Sequence, residues 1–97
     1  MTALRYAGRA LEDLERLADC LIDESPADAS ATFTLIESAL VVPERHPLIG
    51  RPAESGLREL VISRGRTGYL ALHRYVEVRD EALVLAVRHQ REAGFQA

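Results

Sequence analysis

The sequence predicts an α+β domain, with a short N-terminal strand, an αα-hairpin and then an antiparallel three-strand meander. Three observations predict it. Apolar residues recur at helical spacing from Ala7 to Leu40 and switch to strand-like alternation from Leu57 onward. Between the two regimes, Pro43, Pro47, Gly50, Pro52 and Gly56 punctuate a loop spanning Glu44 to Gly56. The 97 residues hold no internal repeat, low-complexity segment or linker, so residues 1–97 are read as one domain with one modest core.

Leu4-Arg5-Tyr6 reads as the first strand. Ala7, Ala10, Leu14, Leu17 and Leu21, with Leu11, Ala18 and Ile22 beside them, then form an apolar stripe. Glu12, Asp13, Glu15, Arg16 and Asp19 cover the opposite side, and the helix should end near Glu24. Ser25-Pro26 has the form of a helix start, with Ser25 as N-cap, Pro26 at the first helical position and Asp28 in the first turn. Ala29, Phe33, Ile36 and Leu40 recur at helical spacing until Pro43 closes the second helix. The short link makes the pair antiparallel.

Leu57 to Ser63 is the first clear strand, and Arg64-Gly65-Arg66-Thr67-Gly68 is a turn. Tyr69 to Val78 places Leu70, Leu72, Val76 and Val78 on one face, and Tyr69, His73, Tyr75 and Glu77 on the other. After the Arg79-Asp80-Glu81 turn, Ala82 to His89 is apolar on both faces in its middle, which fits a central strand. The helices are expected to bury their stripes on the leucine-rich sheet face. That leaves Tyr69, His73, Tyr75, His89 and several arginines on the open one.

Composition is ordinary for a soluble globular chain, with 47% hydrophobic and 28% charged residues. No apolar run reaches the roughly 20 residues of a membrane helix. Met1 to Arg9 holds no secretory apolar stretch, so a cytoplasmic location without membrane contact is expected. The single cysteine, Cys20, excludes an internal disulfide and is read as a buried, inert thiol in an apolar helix. No His/Cys/acid spacing suggests a metal, and Gly65 and Gly68 fit a hairpin rather than a phosphate cradle, so no cofactor is implied.

The net charge of −3 is unevenly spread. Residues 1–44 carry three arginines against nine acids, and residues 45–97 carry nine arginines against six acids. His46, His73 and His89 all lie in the second part, which is therefore the part suited to an anionic partner. All twelve basic residues are arginine, so phosphate contacts would be made by guanidinium forks.

The stretch from Leu57 to Phe95, LRELVISRGRTGYLALHRYVEVRDEALVLAVRHQREAGF, resembles the second half of RelE/ParE toxins. There, a Leu-Arg-Glu-Leu-Val strand is followed by a Gly-Tyr-led strand and a central apolar strand ending in Arg-His. Ala10-Leu11-Glu12-Asp13-Leu14-Glu15-Arg16-Leu17 is similar to that family's first helix, and His46-Pro47-Leu48-Ile49-Gly50-Arg51-Pro52 to its Pro-containing loop. The resemblance spans nearly the whole chain. It implies a sheet with two helices packed on one side, a cognate antitoxin in a hetero-oligomer, and either of two activities. ParE-like members poison DNA gyrase; RelE-like members cleave mRNA on the ribosome.

Metal-independent RNA cleavage needs a base, an acid and a cation for the developing charge. Arg58, His73, His89 and Arg91 are the residue types that supply them, with His89, Arg58 and Arg91 the catalytic set if the chain is a nuclease. RNA-cleaving members usually carry a basic residue just after Gly-Tyr and often end in a catalytic Tyr; here those positions are Leu70 and Phe95. The ParE-like branch is therefore preferred, with a target-binding surface of Arg58, His89 and Arg91, and Arg74 and Arg88 as secondary contacts. Strand alternation points Arg88 and His89 oppositely, so one of them is expected to serve structure. A third reading is an inactive homologue that binds only an antitoxin. The isolated chain is expected to be poorly soluble, or toxic to its host, without a partner.

Overall fold

The structure, a computed structural model, describes residues 2–64 and 67–91. In chain order it contains β1 (Ala3–Tyr6), α1 (Gly8–Glu24), α2 (Ala29–Leu40), β2 (Arg51–Pro52), β3 (Leu57–Arg64), β4 (Thr67–Val76) and β5 (Glu81–His89). The strands form one sheet in the order β1-β5-β4-β3-β2. β3, β4 and β5 are the antiparallel meander that the alternation predicts. β1 pairs in parallel with β5, which puts β5 inside the sheet, as its two apolar faces require.

Two features of the Pro/Gly segment escape a sequence reading. A 3-10 turn occupies Val42–Glu44, and Arg51–Pro52 forms an edge strand of two residues against β3. Pro52 has no N–H to offer a ladder, so this strand carries no strand-like signature. The meander strands also differ at their ends. β4 starts at Thr67 and stops at Val76, and Glu77–Arg79 is a 3-10 turn that leaves Val78 93% exposed instead of on the apolar face.

The helical hairpin forms with its joint shifted. Ser25 ends α1, its N–H donating to Leu21 O at 2.8 Å, and α2 begins at Ala29 with Asp28 before it. Ser25 is thus the C-cap of the first helix rather than the N-cap of the second, and Pro26 lies in the intervening turn.

The core joins Ala10 and Leu17 of α1, Ile36 and Leu40 of α2, and Ile62, Tyr69, Ala71, Val84 and Val87 of the sheet. Each large side chain buried there contributes roughly 1.5–3 kcal/mol. The sheet face under the helices is therefore the Tyr69–Ala71–His73 face, and the leucine-rich face of Leu70 and Leu72 points away. This reverses the sequence expectation. Tyr69 and His73 are buried, not displayed on an open face. Both faces of β4 are apolar enough to be covered, so alternation alone does not identify the covered one.

β5 carries a bulge: Leu72 pairs with Ala86 but His73 pairs with Val84, so Leu85 is the extra residue. The bulge lets Val84 and Val87, three positions apart, both enter the core. Beside it, Val87 N–H donates to Asp13 Oδ2 at 2.9 Å. Asp13, placed on the polar side of α1 by its residue type, is buried, whereas Leu11 and Ile22 of the apolar stripe are exposed. Cys20, expected to be buried, is also exposed. No described helix is long and apolar enough to cross a membrane.

Candidate functional site

β5 ends in Arg88-His89, followed by Gln90-Arg91, beside the start of β4. Backbone pairing there continues one step past the strand, with Gln90 N–H donating to Gly68 O at 2.9 Å. The Gln90 side chain lies directly over Gly68, where a Cβ would come within 2.3 Å of it. The absence of a side chain at Gly68 thus lets Gln90 close on β4.

His89 is fixed on the helix side of this end. Its ring meets Tyr69 edge to face, with centroids 5.1 Å apart and planes at 83°. Its Nδ1 accepts the backbone N–H of Arg91 at 3.0 Å. That bond occupies the Nδ1 lone pair, so the neutral ring carries its proton on Nε2 and presents a donor there. Burial, with Cys20 and Glu24 adding to it, raises the Tyr69 phenol above its ordinary range. Tyr69 therefore remains a neutral packing partner for the imidazole.

Arg88 points to the opposite face, as alternation requires. Its Nη1 donates to His89 O at 3.2 Å and to Gln90 O at 3.3 Å, folding the guanidinium over the strand end. Arg74 shares that outer face, since Arg88 pairs with Leu70 and Arg74 lies four residues farther along β4. The separation is about 13 Å at roughly 3.3 Å per strand residue. Arg74 Nη2 donates to Ser55 O at 3.1 Å and remains exposed. Leu70, Leu72 and Ala86 lie between the two arginines, with Val61 of β3 beside them 44% exposed.

Arg58 stands apart from both groups. It lies on the helix-side face opposite His73 in the β3–β4 register, and its Nη1 donates to Gly50 O at 3.2 Å. His73 is buried and donates from Nε2 to Ile49 O at 2.8 Å. Of the five predicted target residues, the fold gathers Arg88, His89 and Arg91 at one sheet end, places Arg74 farther along the outer face, and turns Arg58 inward. The predicted end residue Phe95 and the turn residues Gly65 and Arg66 lie outside the described residues.

Sequence reasoning missed a second polar cluster at the other end of the sheet. Thr2 Oγ1 and Tyr75 OH both donate to Asp80 Oδ1 at 2.8 Å, and Asp80 sits in the left-handed region at φ 47°. Those two hydroxyl donors lower the Asp80 carboxyl, and the shared hydrogen bond raises the Tyr75 phenol. Asp80 in a turn after Arg79 was the available signal; its partners, 78 and 5 positions away, were not. Among the described residues no group of three His, Cys, Asp or Glu gathers to hold a metal.

Residues 4–94 match a family model described as the ParE toxin of the type II toxin–antitoxin system parDE. Toxin RelE3 of Caulobacter vibrioides is 32% identical over 93 residues, covering 95% of this chain and 98% of that protein. A solved chain of the chromosomal ParDE toxin–antitoxin system from P. aeruginosa has a TM-score of 0.74 at 24% identity, covering 92% of this chain and 96% of that one. A chain of the RelBE2 toxin–antitoxin complex from Mycobacterium tuberculosis has a TM-score of 0.58 at 24% identity, covering 94% and 93%. The isolated E. coli RelE toxin also has a TM-score of 0.58, at 14% identity, covering 96% of this chain and 88% of that one. At these identities the solved chains speak for the fold, a sheet with a helical hairpin on one face.

Proposed function

The chain belongs to the RelE/ParE family of toxins of type II toxin–antitoxin systems, and on that premise we propose that it acts in the cytoplasm as a ParE-like inhibitor of DNA gyrase, held inactive by a cognate antitoxin. The observation that carries the ParE-like reading is the dispersal of the nuclease set. Arg58 is turned inward to Gly50 O, while His89 has its Nδ1 occupied by the Arg91 backbone at the far sheet end. A base, an acid and a cation must lie within hydrogen-bond reach of one phosphodiester to cleave it. A gyrase inhibitor requires only a surface. The outer face supplies one, with Arg74 and Arg88 bracketing an apolar band. The position after Gly68-Tyr69, basic in the RNA-cleaving branch, is Leu70, which is buried.

The test is a plasmid supercoiling and cleavage-complex assay with purified gyrase, with and without antitoxin. Loss of supercoiling or trapped cleaved DNA, reversed by antitoxin, is the expected result. A preparation that leaves gyrase untouched yet stops growth by arresting translation would replace this reading with ribosome-dependent mRNA cleavage. In that case His89→Ala is the decisive variant.

A further inference from the structure

Two consecutive carbonyls of the loop before β2 are gripped by side chains that stand opposite each other in the sheet. His73 on β4 holds Ile49 O at 2.8 Å, and Arg58 on β3 holds Gly50 O at 3.2 Å. Gly50 has φ +98°, and a Cβ on it would fall 2.5 Å from Glu59 O, so the loop backbone is pressed against β3 at this point. The same loop carries Arg45, His46, Pro47, Leu48 and Ile49, which line a shallow depression on the surface.

The His73 ring is only 1% exposed, and its Nδ1 is buried with no hydrogen-bond partner. This is the environment of a neutral imidazole whose one proton sits on Nε2 and points at Ile49. A second proton would arrive at Nδ1, where no acceptor waits, on the strand position opposite a guanidinium. The β5 residues on this face, Ala82 and Val84, are apolar. In the helical layer, Glu37 of α2 and Glu44 of the following turn act on Tyr6, and Asp13 of α1 is engaged with Val87 N–H and Arg16. Arg45 and His46 in the loop itself are exposed.

We infer that His73 is a proton-sensitive latch for the loop at residues 46–50: protonation of Nδ1 drives the ring from its site and frees Ile49 from the sheet while the domain stays folded. Burial holds the imidazole below its ordinary value of 6.5; the hydrogen bond to Ile49 opposes that shift, and Arg58 adds to it. The sign follows. A depressed folded value means that the latch is fully closed above about 6.5 and loosens as pH falls below it and through the folded value.

Amide hydrogen exchange by NMR on the full-length chain from pH 7.5 to 5, corrected for intrinsic rates, tests this, with α1 amides as the internal reference. Opening of residues 46–51 should rise up to about tenfold per pH unit in the titrating range, the limit for one linked proton. α1 should stay protected. His73→Gln, which keeps a donor for Ile49 but cannot titrate, should abolish the pH dependence. Loop exchange that is flat with pH, equally steep in His73→Gln, or lost together with α1 overturns the latch. If His73→Gln does not fold, the wild-type ring signals decide. A His73 titration that coincides with the loop shifts supports the latch, and one that leaves the loop unmoved rejects it.

Discussion

Asp13 stands on a helix that carries six of the chain's fifteen acids, yet it is buried beneath that helix. One oxygen accepts the Val87 N–H next to the β5 bulge, and the other is 3.4 Å from Arg16 Nη2, with Arg9 Nε at 3.9 Å. A bulge takes one backbone group out of the ladder, and Asp13 supplies the acceptor. Asp13→Ala leaves that N–H without its acceptor and removes the carboxylate beside Arg9 and Arg16, so it should cost about 1–3 kcal/mol. Urea unfolding is the check, and a loss below about 0.5 kcal/mol would show that water replaces the carboxylate. A sequence reading puts Asp13 in solvent because carboxylates are seldom buried, and the bulge that needs it is 74 positions away. Cys20 errs in the opposite sense: its neighbours are apolar, but its position on the turn of α1 faces outward. His89 and Arg91 were identified by residue type, yet the bond between them, which sets the imidazole tautomer, depends on a backbone conformation that no residue spacing encodes.

At the scale of the element, α1 and the meander were legible because their periods persist over many residues, and an amphipathic helix of 17 residues leaves little ambiguity. Which sheet face the helices cover was not legible. Leu70 and Leu72 offer one apolar face, Tyr69 and Ala71 another, and the helices take the second. The start of α2 was misplaced because Ser-Pro satisfies the rules for a helix start and equally those for a turn. β1 is the element whose loss has the widest effect. Its four residues cover the side of β5 that would otherwise be an unpaired edge, and Thr2 ties its beginning to Asp80. A chain lacking residues 2–6 should therefore expose a long apolar edge strand and self-associate. Size-exclusion chromatography reads this directly, and a truncated chain that stays monomeric at the concentration of the intact one refutes it.

For the whole molecule, the segregation of charge is the property most relevant to a partner. The helical half carries nine acids, and the sheet half carries nine of the twelve arginines. Screening shortens the reach of such a field from about 10 Å at 0.1 M salt to about 3 Å at 1 M. On the proposed gyrase reading, association with that target should slow as salt rises, and Arg74→Glu with Arg88→Glu should slow it further at low salt while leaving the fold intact. Stopped-flow or surface binding kinetics measure this, and an association rate indifferent to both salt and the double substitution removes the outer face from consideration. The overall order of elements and the central place of β5 were visible in the sequence, but the strand that covers β5 was not, because nothing local marks β1 as its parallel partner. That pairing, Ala3 with Glu81 through Tyr6 with Val84, also sets when the molecule comes into being. During synthesis β1 has nothing to pair with until β5 follows. The nascent chain thus holds an incomplete sheet until β5 has been made, and the ribosome making this toxin meets its finished surface only after that strand has emerged.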